Sequence, residues 1–221
     1  VLELGLGRAP GTDPVTSHAL RNRLDGRQGD DFLERLHELT LWETRDFPEG
    51  HPYNRVLAMP NDAPLPPLWL LGSSGYSAEL SAQVGMGFAF AHHFASHDAR
   101  DAMTGYRRHF QPSGWRQTPY AILAVAAIAA DTEAEAERLA ASADLSRLLR
   151  DRGQFGPLPS IEEAQAFPYT EADRAAIARH RSRLFVGAPA TVVEKLSPLI
   201  AATQADEVMV ITAVYDHAAR K

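Results

Sequence analysis

Leu68-Trp69-Leu70-Leu71-Gly72-Ser73-Ser74-Gly75-Tyr76-Ser77 runs from large apolar residues through a small, hydroxyl-rich turn into a stretch where Tyr76, Leu80 and Val84 recur at helical spacing. The spacing predicts a buried strand, a tight loop and a helix, with Gly85 as the C-terminal stop. The same alternation extends outward from this unit. Short apolar runs at residues 1–7, 67–72, 87–91, 120–129 and 207–212 predict five strands, each apolar nearly throughout as parallel strands covered on both faces are. Between them, helices are expected over residues 30–46 and 98–110, from an N-cap at Asp131 with an acidic first turn, and from Pro189 or Ala190 onward. Residues 47–67 hold Pro48, Pro52, Pro60, Pro64, Pro66 and Pro67, which predicts a loop broken only by a short edge strand at residues 55–59. Gly153, Gly156, Pro157, Pro159 and Pro168 predict an irregular insertion over residues 151–169.

With 221 residues, 45% hydrophobic and 23% charged, the chain is expected to form a single α/β domain. Pattern alone leaves two architectures open: an open doubly wound sheet, or part of an eight-strand barrel. A net charge of -6 offers no basic footprint, so nucleic acid and anionic membranes are excluded as expected partners and small molecules are favoured. The longest apolar run, residues 121–130, is about half of what a bilayer-spanning helix needs. The absence of cysteine removes disulfides, thiolate nucleophiles and Cys-ligated metals, and points to the cytoplasm. The opening Val1-Leu2-Glu3-Leu4 has no basic region ahead of an apolar one and reads as a strand in mid-fold.

Chemistry concentrates where the strands end. Gly72, Ser73, Ser74, Gly75, Tyr76 and Ser77 open a helix with backbone N–H groups, the positive end of the dipole and serine hydroxyls, a combination that seats a phosphate monoester. The competing reading is that Ser73 or Ser74 simply caps the helix. Arg8 follows the strand at residues 1–7, where a guanidinium suits phosphate oxygens. His92, His93 and His97 follow the third strand; adjacency of the first two argues against a shared metal, and His93 is the candidate to face a substrate or ring. Tyr215, Asp216 and His217 follow the last strand and are candidates to line the same mouth. Gly5-x-Gly7 lacks the third glycine of a dinucleotide fingerprint, and neither a P-loop nor a serine-hydrolase elbow is present.

Leu4-Gly5-Leu6-Gly7-Arg8-Ala9-Pro10-Gly11-Thr12-Asp13, Leu71-Gly72-Ser73-Ser74, Ala129-Ala130-Asp131-Thr132 and Phe185-Val186-Gly187-Ala188-Pro189, in this order, resemble the bacterial-luciferase-like flavin oxidoreductases. The resemblance implies a (β/α)₈ TIM barrel of the luciferase-like type, of which this chain carries the later strands, about five of eight, and lacks the N-terminal third. It implies a homodimer that binds reduced FMN, or alternatively F420, at the carboxyl ends of the strands. Arg8, Ser74 and Ser77, with backbone groups of Ser73, Gly75 and Tyr76, would then hold the cofactor phosphate. The implied activity is monooxygenation of a small organic substrate with reduced FMN and oxygen; the alternatives are F420-dependent hydride transfer and flavin binding without catalysis.

Overall fold

A computed structural model describes residues 2–8, 19 and 31–220. The chain divides into two compact units, Val1–Trp69 and Leu70–Lys221, with strand β2 (Leu68–Gly72) running across the division.

In the first unit, β1 (Leu4–Gly7) alternates half-buried and exposed residues, and the Leu4 N–H donates to the Pro67 carbonyl at 3.0 Å. Helix α1 (Phe32–Thr44) ends at Arg45, which adopts a left-handed conformation. The proline-rich segment after it forms a 3₁₀ turn at Pro52–Arg55 and packs Trp42, Phe47, His51 and Tyr53 into a ring cluster. The edge strand expected at residues 55–59 does not form. Val56, Leu57 and Met59 are exposed instead, and among the described residues no strand is paired with this segment.

The second unit is built on a parallel sheet centred on β4 (Ala121–Ala129). Strand β3 (Gly87–Ala91) pairs with residues 121–124 of β4, β6 (Glu207–Ile211) with residues 122–126, and β5 (Leu184–Gly187) with residues 126–129, all in parallel; residues 70–72 of β2 lie beside β3. Helices α2 (Gly75–Val84), α3 (Ala99–His109), α4 (Glu133–Asp151), α5 (Ile161–Ala166), α6 (Glu171–Arg181) and α7 (Pro189–Thr203) make the crossovers. The core sets Phe88 and Phe90 of β3 and Leu123 and Val125 of β4 against Met103 and Tyr106 of α3 and Leu196 of α7. Tyr106 is fully buried because its hydroxyl is paired, donating to the Met86 carbonyl at 2.9 Å and accepting the Tyr120 N–H at 3.1 Å. Asp206 joins the starts of β4 and β6: its carboxylate accepts from the Ala121 N–H at 2.7 Å and from Arg107, and its own N–H donates to the Ala121 carbonyl. These ties lie at the amino ends of the strands, the face of parallel α/β sheets that serves stability.

Several expectations change. β5 is a sixth described strand; its apolar run is only Leu184-Phe185-Val186, too short for periodicity to distinguish. The N-cap of α4 is Thr132, whose hydroxyl accepts from the Glu135 N–H at 3.2 Å, and not Asp131. The segment expected to be irregular contains α5, held by a reciprocal capping box between Ser160 and Glu163. Burial on both faces holds for β3 and β4 but fails for β6, where Met209, Val210 and Ile211 are exposed; among the described residues β6 pairs with β4 alone. Among the described residues, no helix is long and apolar enough to cross a membrane.

Candidate functional site: the carboxyl ends of the strands

Gly72 ends β2, and two residues later Ser74, in extended conformation, occupies the N-cap of α2. The hydroxyl-bearing N-caps of α4, α5 and α6 all accept a backbone N–H of their first turn, yet the Ser74 side chain makes no such bond. Ser74 therefore does not cap its own helix, and its hydroxyl makes no bond to the first turn of α2. Gly72 is required for a separate reason. Ser77 is buried with its side chain directly over the Gly72 α-carbon, so that a β-carbon at residue 72 would overlap Cβ and Oγ of Ser77. This contact sets the first turn of α2 close to the end of β2. Ser73, Ser74 and Gly75 are half-buried around the turn and Tyr76 is exposed.

The next strand end carries the histidines. Residues 92–94 form a 3₁₀ turn rather than extended chain, so His92 and His93 diverge by a different route from the one alternation would give. The His92 ring stacks near Phe185 of β5, 6.2 Å between centroids and 28° between planes. His93 turns toward β4, where its Nδ1 lies 3.3 Å from the Ala124 carbonyl oxygen, and its ring meets Phe94 edge-on. Burial holds both imidazoles below their ordinary pKa; for His92 the positive charge of Arg183 adds to the effect. His97 is separate, paired with the Ser96 hydroxyl. No group of three or more potential metal ligands exists among the described residues.

At the remaining strand ends the side chains serve the fold. Glu133 accepts from the Ala188 N–H and the Thr191 hydroxyl, joining the starts of α4 and α7, and these bonds, the hydroxyl first, lower its pKa. The sequence presents Glu133 only as a solvated first-turn acid. After β6, Asp216 accepts from the Ala218 and Ala219 N–H groups and His217 accepts from Arg220, while Tyr215 is exposed; the trio forms a terminal turn anchored by buried Val214. Arg8 directly follows β1 and is half-buried; it belongs to the first unit, whereas residues 73–77 belong to the second, and its expected role rests on the sequence.

The pattern of the luciferase-like monooxygenase family matches residues 2–206. The uncharacterized protein YvbT of Bacillus subtilis (strain 168) is 40% identical over 222 residues, covering 99% of this chain and 64% of its own length. A luciferase-like monooxygenase of Escherichia coli (strain K12) is 38% identical over 220 residues, again 99% of this chain and 64% of the relative. Among solved structures, apo-MsnO8 superposes with a TM-score of 0.80 at 31% identity, over 99% of this chain and 63% of that one. The chain belongs to the luciferase-like monooxygenase family and has its parallel α/β fold. It spans somewhat less than two thirds of the length of these relatives.

Proposed function

We propose that this chain carries the cofactor-phosphate site of a flavin-dependent monooxygenase that uses reduced FMN and oxygen on a small organic substrate. The observation that carries the reading is the Ser74 hydroxyl, which sits at a helix N-cap and leaves the capping position unused, beside a glycine whose α-carbon is packed tightly enough to fix the turn. Backbone N–H groups of the first turn, the helix dipole and the hydroxyls of Ser73 and Ser74 suit a dianionic phosphate monoester. The bound flavin supplies the redox and oxygen chemistry. The protein's part is to hold the phosphate, to orient the rest of the molecule across the strand ends and to limit water there.

FMN is favoured over F420 by the groove that starts at Gly75 and runs between α2 and α3. It is lined by Glu79, Asp98 and Asp101 with His97 and His109. The oligoglutamate tail that follows the phosphate in F420 would meet like charge along it, whereas FMN ends at its phosphate.

Fluorescence titration of the full-length protein with FMN and with riboflavin tests the site, and reduced-FMN-dependent oxygen consumption tests the activity. Ser74→Ala is expected to weaken FMN binding about 10-fold or more, the loss of a charge-assisted hydrogen bond, and to leave riboflavin binding unchanged. Equal affinity of wild type and variant for FMN would remove Ser74 from the site.

A further inference from the structure

The proton position on His93 follows from its partner. A carbonyl oxygen can only accept, so the contact with Ala124 places the proton on Nδ1 and leaves Nε2 of the neutral imidazole as a hydrogen-bond acceptor. Ala91, the last residue of β3, pairs with Ala124, and the His93 side chain reaches the Ala124 carbonyl just beyond that pair. One nitrogen is thus committed to the sheet and the half-buried ring is fixed in orientation.

The phosphate cradle lies one strand away. Residues 73–77 follow β2, the neighbour of β3, and adjacent strands are about 4.8 Å apart. In FMN the phosphate is followed by a polyol chain, so the groups that first pass a neighbouring strand end are hydroxyls, which need acceptors. We propose that Nε2 of His93 accepts a hydrogen bond from a polyol hydroxyl of the phosphate-anchored flavin, with the Ala124 carbonyl as the group that orients the ring. The assignment rests on the flavin reading above. His92 does not share the role, because its ring is stacked toward Phe185. Burial keeps the accepting, uncharged form of His93 in place at neutral pH.

Flavin-fluorescence titrations of the full-length protein with FMN and with riboflavin, on wild type, His93→Asn and His93→Gln, test the assignment. The Asn amide nitrogen can replace Nδ1 against Ala124 while Nε2 is lost, so His93→Asn is expected to weaken FMN and riboflavin alike, by about 5–10-fold for one hydrogen bond. That pattern differs from Ser74→Ala, which affects FMN only. His93→Gln, whose amide oxygen reaches the Nε2 position, is expected to retain more affinity than His93→Asn. Nitrogen-15 NMR of the imidazole is expected to show a protonated Nδ1, and an Nε2 signal that moves when FMN is added. Wild-type affinity for both flavins in His93→Asn, or a proton on Nε2, overturns the assignment while leaving the flavin reading intact. Absence of flavin binding by the wild type removes both.

Discussion

The side chain of Ser77 rests on the α-carbon of Gly72 and occupies the space that a β-carbon at residue 72 would need. This single contact couples the end of a strand to the first turn of the helix that follows, and it makes the geometry of the proposed phosphate site depend on a missing methyl group. Gly72→Ala is therefore expected to push β2 and α2 apart, at a cost of about 1–3 kcal/mol from overpacking. Denaturant unfolding measures it. Because the overlap is with Ser77, the double variant Gly72→Ala, Ser77→Gly should recover part of the loss after allowance for about 1 kcal/mol of helix propensity. Simple additivity of the two changes would show that the overlap is relieved elsewhere.

Tyr106 makes a different kind of prediction. Its hydroxyl satisfies two backbone groups at the starts of β3 and β4 in a fully buried setting. Tyr106→Phe preserves the ring packing against Phe88 and Phe110 but leaves the Met86 carbonyl and Tyr120 N–H without this partner. The expected destabilisation is about 1–3 kcal/mol, with little effect on flavin affinity, since the bond lies at the amino ends of the strands. A variant as stable as wild type, by thermal or denaturant unfolding, would contradict it.

The histidine turn makes stability depend on pH. Both imidazoles have folded-state pKa values below their ordinary value, so as pH falls the unfolded chain takes up protons before the folded one. Where the unfolded state binds more protons, stability rises with pH, so stability is expected to drop on acidification from about pH 7 toward pH 5. Glu133 and Asp173 are held below the ordinary carboxylate range, by the Thr191 hydroxyl and by the Thr170 N–H respectively, and their contribution is lost only at more acidic pH. Unfolding free energies of wild type and His93→Asn should therefore converge as pH falls through the histidine window. Parallel pH profiles would show that burial does not perturb His93.

The strand, turn and helix around Gly72 were legible because everything that specifies them is local: an apolar run, a small-residue turn and a helical period ending at Gly85, which is indeed left-handed at φ 68°. The family segments were legible for the same reason. Other features were hidden by short length or by distant partners. β5 offers three apolar residues, and α5 is a six-residue helix that two cap residues hold inside a stretch of glycine and proline. The exposure of β6 was invisible because its sequence is as apolar as that of a covered strand.

The sequence by itself determined the parallel α/β class, the family and the loop at which a phosphate is expected, since hydrophobic periodicity and turn chemistry act over a few neighbouring residues. Only the tertiary structure decided that Ser74 does not cap its own helix, that Ser77 is packed onto Gly72, and that His93 donates a hydrogen bond from Nδ1 to the Ala124 carbonyl, 31 positions away. Which nitrogen of an imidazole is left to meet a ligand depends on the backbone group that the sheet brings beside it. That is fixed by strand register and strand length, which no local stretch of sequence encodes.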